Sequence, residues 1–190
     1  MNGYFSEAGS FLVSVVFGFF ILMIMLRFLL QTARADFYNP ISQFIVKVTD
    51  PLLKPLRRII PGAGGLDMSA ILLLIVLQFV ETLITLSMQG NSIHWLALLI
   101  FSIFSLIKLL LYVYIFAIII VAIASWIAPA GYNPVLNLIQ QLIAPVMRPI
   151  QRWVKPVSGM DLSPLVALLI LNLLVMAIPY LQRNVLMMLA

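Results

Sequence analysis

The chain has 190 residues and a formal net charge of +5, with 64% hydrophobic and only 9% charged residues. That balance lies outside the range of soluble globular chains, because too few polar residues remain to cover a surface in water. Cysteine is absent, which excludes disulfides, thiolate metal sites, iron–sulfur clusters and thiol nucleophiles.

Glu7 stands among the first ten residues without any Lys or Arg, so the basic start of a secretory signal is missing. The apolar run over about 10–33 is therefore expected to stay in the protein as a membrane helix. Arg27 falls within it near one end, where its side chain is expected to snorkel to the headgroups. Residues 40–60 then alternate differently. Ile41, Phe44, Ile45, Val48, Leu52, Leu53 and Leu56 recur every three or four positions, which predicts an amphipathic helix. Asn39 is placed to cap it with Pro40 at its first position. Pro51 is expected to stop the first helical stretch, with Asp50 capping a short second one.

The glycines at 62, 64 and 65 predict a turn, since the lysine and strand-to-helix context of a phosphate loop are lacking. Asp67 and Ser69 are expected to cap a second membrane helix over about 68–88. That helix contains Glu81, an expensive group at such a depth. After a turn, His94 and Trp95 are expected at headgroup level, and the apolar stretch from Trp95 to Ile107 is expected to extend the third helix, placed at about 104–127, with an interfacial or a re-entrant piece as the alternatives. Lys108 lies at a depth similar to that of Glu81. The expectations for these two are an ion pair or, alternatively, separate snorkelling with a protonated glutamate. A second amphipathic segment covers 134–155, and a fourth span covers about 162–182.

Sliding the chain along itself by 94 positions superposes the two halves. Tyr38, Asn39 and Pro40 fall on Tyr132, Asn133 and Pro134, and Pro51 and Pro55 fall on Pro145 and Pro149. Lys54 meets Arg148, Arg58 meets Arg152, Asp67 meets Asp161 and Ser69 meets Ser163. Ala144 replaces Asp50, so the second copy is expected to lack the internal cap. Gln78 and Asn172 also correspond and are expected to hydrogen-bond between helices. The fold class is thus an all-α membrane protein with four spans in two tandem repeats, each a transmembrane helix, an amphipathic helix and a transmembrane helix. The first repeat takes 1–88, a connecting apolar extension 89–103, and the second repeat 104–190.

Eight of the eleven Lys and Arg lie in the two amphipathic segments and their flanks, so those segments are expected to face the cytoplasm and both termini the opposite side. Lys54, Arg57, Arg58, Arg148, Arg152 and Lys155 form a basic platform beside apolar helices, where anionic lipid is a nearer partner than nucleic acid. A membrane-protein partner or a second copy is the other expected occupant of that platform; enforcing orientation alone is the simpler reading. Serines without a neighbouring base and a single histidine supply no catalytic site, metal site or cofactor site.

Tyr-Asn-Pro, then spaced prolines with basic residues, then Gly-Leu-Asp-Met-Ser in one half and Gly-Met-Asp-Leu-Ser-Pro in the other resemble the YggT family. The resemblance covers nearly all of the chain apart from 89–103; Ala70 stands where the second copy has Pro164. It implies a bacterial inner-membrane protein without catalytic residues. It further implies a loose link to osmotic stress and potassium uptake, or, through related families, to membrane-complex assembly. A non-enzymatic assembly or scaffold factor is the expectation, with osmotic or potassium-uptake transport as the alternative.

Overall fold

The computed structural model describes residues 2–90, 94–127, 133–154 and 161–189. Among these there are six helices and no strand: α1 (Asn2–Thr32), α2 (Pro40–Ile59), α3 (Met68–Met88), α4 (Trp95–Ile127), α5 (Pro134–Trp153) and α6 (Ser163–Leu189). α1, α3, α4 and α6 are each long and apolar enough to cross a membrane. Together they suggest a multi-pass membrane protein, consistent with a chain whose apolar residues are its majority.

Both halves are built alike. α1 packs along α3 and α4 along α6, while α2 lies across the ends of the first pair and α5 across the ends of the second. The halves join head to tail, with α3 against α4 and α1 touching both α4 and α5. Repeat-equivalent residues occupy equivalent depths in one continuous core: Ile21 and Ile115, Ile24 and Ile118, and Leu53 and Met147 are all buried. Each amphipathic helix turns one stripe onto the bundle at three-to-four spacing; in α2 that stripe is Ser42, Ile45, Thr49 and Leu53, while Phe44 and Leu52, expected on the apolar face, are exposed.

Local signals set most of the boundaries. The Asn39 side chain accepts from the Ile41 amide at 3.0 Å, and Asn133 accepts from Val135 and Leu136 at 2.9 and 3.4 Å, each with proline at the next position. Between α2 and α3 the chain reverses through Gly64 and Gly65, both at positive φ, with Ala63 and Leu66 exchanging backbone bonds of 3.2 and 3.0 Å. The residues from Trp95 onward continue without a break into α4.

Pro51 does not end a helix, and Asp50 caps nothing: α2 runs through Pro51 and Pro55, and α5 through Pro145 and Pro149. All four prolines are exposed. Spaced four apart, each pair shares one outer stripe, so the missing N–H donors and ring crowding fall on the side away from the core. Buried anchors on the opposite stripe hold each helix together. α1 also begins earlier than expected, and α6 passes Pro179, another exposed proline, to reach Leu189.

Candidate functional site

Where α2 crosses the end of α1, a polar network replaces apolar packing. Arg27 is 5% exposed, and its Nη1 donates to Asp50 Oδ1 at 2.8 Å, to Thr49 Oγ1 at 2.7 Å and to the Val46 carbonyl at 3.2 Å. It does not snorkel. The returning α2 brings a carboxylate to the guanidinium, and three acceptors gather on its Nη1. Asp50 Oδ2 also accepts from Lys54 Nζ at 2.8 Å, one turn along α2. The Lys54 hydrogen bond, reinforced by Arg27 and opposed by burial, holds the Asp50 carboxyl below its ordinary pKa.

A second branch fastens the start of α3. Asp67 accepts from the Ala70 amide at 3.2 Å and so caps the helix, and its Oδ2 takes Arg57 Nε at 3.0 Å together with Arg57 Nη2. Arg57 Nη2 further donates to Gln31 Oε1 at 3.2 Å, and Ser69 Oγ donates to the Ile60 carbonyl at 2.9 Å. Three elements of the first repeat are thereby locked at one end.

The second repeat keeps the aspartate at the start of its last helix and, among the described residues, lacks the ion pairs. Asp161 Oδ1 accepts from the Ser163 amide at 2.8 Å, and Asp161 Oδ2 accepts from Gln151 Nε2 at 3.4 Å. Gln151 stands where the first repeat has Arg57, and Val121, Ile143 and Ala144 stand for Arg27, Thr49 and Asp50.

The two amphipathic helices meet at their beginnings. Asn39 Nδ2 donates to the Pro134 carbonyl at 2.7 Å, and the Asp36 amide donates to Gln141 Oε1 at 2.7 Å. Asp36 also accepts from the Tyr38 amide at 2.8 Å through its side chain and from Ser42 Oγ at 2.8 Å through its carbonyl. Tyr38 itself is 88% exposed. Sequence reasoning overlooked Asp36, Gln141, Thr49 and the true role of Asp50. Arg27 and Asp50 were each conspicuous as charges, but only the return of α2 onto α1 brings them together.

Of the six basic platform residues, Lys54 and Arg57 are neutralised within the network. Arg58, Arg148 and Arg152 are exposed and, among the described residues, have no carboxylate within ion-pair distance. Two exposed apolar residues, Ile59 and Trp153, adjoin Arg58 and Arg152 at equivalent helix ends. Lys155 and Tyr132 lie outside the described residues.

Glu81 and Lys108 do not pair. Glu81 accepts from Ser14 Oγ of α1 at 2.7 Å and from Gln78 Nε2 at 2.8 Å, whereas Lys108 lies exposed with its Nζ 5.8 Å from the Tyr112 ring centroid. The glutamate faces α1 and the lysine faces outward, so similar depth is not enough to join them. Gln78 and Asn172 do not bridge helices either. Gln78 serves Glu81 on its own helix, and Asn172 Nδ2 returns to the Leu168 carbonyl at 2.8 Å.

The duplicated geometry has a counterpart in known proteins. The CCB3/YggT family model matches residues 6–88 and again residues 100–182, which are the two three-helix units. The chain belongs to the CCB3/YggT family. Among its relatives, uncharacterized protein PA0392 of Pseudomonas aeruginosa is 43% identical over 175 residues, covering 91% of this chain and 89% of that protein. A Vibrio alginolyticus protein encoded in the proC 3' region is 42% identical over 160 residues, covering 83% and 85%. YggT of Escherichia coli strain K12 is 34% identical over 170 residues, covering 89% and 88%. No solved structure matches this YggT-family chain. The second matched segment begins at residue 100, five residues into α4, much as the first begins at residue 6, four residues into α1, so the two opening helices enter the repeat alike.

Proposed function

We propose that this chain is a non-enzymatic scaffold of the bacterial inner membrane, with α2 and α5 on the cytoplasmic surface and both termini on the periplasmic side. The observation that carries this reading is the fastening of α2 to α5 through Asn39 with Pro134 and Asp36 with Gln141, which makes one surface of two amphipathic helices. Arg58, Arg148 and Arg152 stand on that surface as charges unused by the fold. Exposed cations beside an apolar bundle, free of carboxylate partners among the described residues, suit anionic headgroups and the acidic cytoplasmic face of a membrane-protein partner. The bacterial origin of the relatives supports the compartment, and the clustering of Lys and Arg in the amphipathic segments supports the orientation.

The test is affinity purification from native membranes. A specific membrane complex is expected with the wild-type chain and is expected to disappear when Arg58, Arg148 and Arg152 are all changed to Gln. Retention of that complex by the triple variant would overturn the platform.

A second reading, osmotic or potassium-uptake transport, is favoured by one cluster: Ser14, Gln78, Glu81 and Thr82 form a polar patch between α1 and α3 at spanning depth. Potassium flux into proteoliposomes holding only this chain would establish that reading in place of the scaffold.

A further inference from the structure

The junction of α4, α5 and α6 forms a half-open cavity of about 750 Å³, with Arg148, Gln151 and Asp161 exposed at its mouth. Its walls are the repeat equivalents of the residues that build the ion-pair network at the junction of α1, α2 and α3. At those positions the first repeat has Arg27, Phe28, Gln31 and Asp50, and the second has Val121, Ala122, Ser125 and Ala144. Each replacement is smaller, so the space filled by internal ion pairs in one half is left open in the other.

Two charges remain on the rim of that space. Arg148 is the equivalent of Lys54, whose partner Asp50 has become Ala144. Asp161 is the equivalent of Asp67, whose partner Arg57 has become the neutral Gln151. The two are not within ion-pair distance of each other. Among the described residues Asp161 accepts from one backbone donor at 2.8 Å and one amide donor at 3.4 Å, which leaves lone pairs over. The floor below is apolar: Ile118 on α4 and Leu168 on α6 each lie seven residues from Ser125 and Asp161, about 10 Å deeper at 1.5 Å per residue.

We propose that this cavity binds a phospholipid whose headgroup carries both a phosphate and a primary ammonium, the phosphoethanolamine class. The phosphate sits on Arg148, the ammonium donates to Asp161, and an acyl chain runs down between α4 and α6 along Val121 and Leu168. A zwitterion restores both of the partners that the second repeat has lost. A purely anionic headgroup leaves Asp161 facing like charge, and a choline headgroup brings no N–H to donate. A water-soluble phosphoethanolamine would leave the apolar floor uncovered. The inference uses the membrane setting but does not depend on the scaffold reading.

The test is native mass spectrometry of the full chain released from detergent after incubation with equal amounts of dioleoyl phosphatidylethanolamine, phosphatidylcholine and phosphatidylglycerol. One phosphatidylethanolamine is expected to remain bound, favoured about tenfold over each of the others, as one charge-assisted hydrogen bond would provide. Arg148→Gln, a change at an exposed side chain, is expected to reduce retention about tenfold. Asp161→Asn is expected to abolish the preference for phosphatidylethanolamine over phosphatidylcholine. The double variant Val121→Arg with Ala144→Asp copies the first-repeat pair into the cavity and is expected to expel the lipid while the chain stays folded. Equal retention of the three lipids, a preference for phosphatidylglycerol, or unchanged selectivity in Asp161→Asn would overturn the proposal. Should the double variant fail to fold, the two single variants decide alone.

Discussion

Arg27 is a full charge held at 5% exposure in an apolar bundle, and its tolerance depends on Asp50. Removing one member of such a pair strands the other, whereas removing both leaves ordinary packing. Asp50→Asn is therefore expected to destabilise the fold by about 3 kcal/mol, and the double change Arg27→Met with Asp50→Ala by less, as read from unfolding titrations in mixed micelles. The same residue predicts a response to acid. Because its pKa is lower in the folded than in the unfolded chain, the stabilisation is complete above the ordinary carboxylate value, about 3.9, and fades as pH falls toward the folded value. The gap in stability between wild type and Asp50→Asn is thus expected to be constant from neutral pH down to about 4 and to narrow below it. Arg27 stands out in the sequence as a charge inside a span, whereas Asp50 reads there as a helix cap. Their pairing was not legible, because residues 27 and 50 meet only through the angle at which α2 returns, and hydropathy carries no information about that angle.

At the scale of the helix, capping was legible and interruption was not. Asn39 and Asn133 act within two or three residues of themselves, so their role follows from local order alone. Pro51 and Pro145 are local signals too, but the cost of a proline depends on which side of the helix it faces, and both face outward. Burial of Leu53 and Met147 on the opposite stripe then holds the helix through the defect. Asn39 carries a second duty that Asn133 lacks, since its amide nitrogen also reaches the Pro134 carbonyl. Asn39→Ala is accordingly expected to cost about 2 kcal/mol and Asn133→Ala about 1, measured by the same titrations. Equal losses would mean that the α2–α5 bond adds nothing.

Taken whole, the molecule is one design used twice with different contents. The repeat was legible because prolines, caps and charges recur at a fixed offset of 94; the loss of the ion pairs from the second copy was not, because a substitution such as Ala144 for Asp50 looks minor until its neighbours are known. The absence of cysteine makes the proposed orientation directly measurable. Single cysteines at Arg58 and Arg152 are expected to react with a membrane-impermeant maleimide only from the cytoplasmic side, and cysteines at the exposed Tyr4 and Met188 only from the periplasmic side. Labelling of all four from one side would overturn the topology.

The helix that opens each repeat is longer than the one that closes it, 31 residues against 21 in the first and 33 against 27 in the second. At 1.5 Å per residue, the 31 residues of α1 and 33 of α4 extend about 46 and 50 Å, against about 32 Å for the 21 residues of α3. A hydrocarbon layer of about 30 Å fits α3 and falls short of α1 and α4. The surplus is relieved by leaning, by protrusion or by a locally swollen bilayer, and each relief grows cheaper as acyl chains lengthen. Membrane thickness therefore becomes a sorting coordinate: in a mixture of phases the chain is expected to partition toward the thicker one.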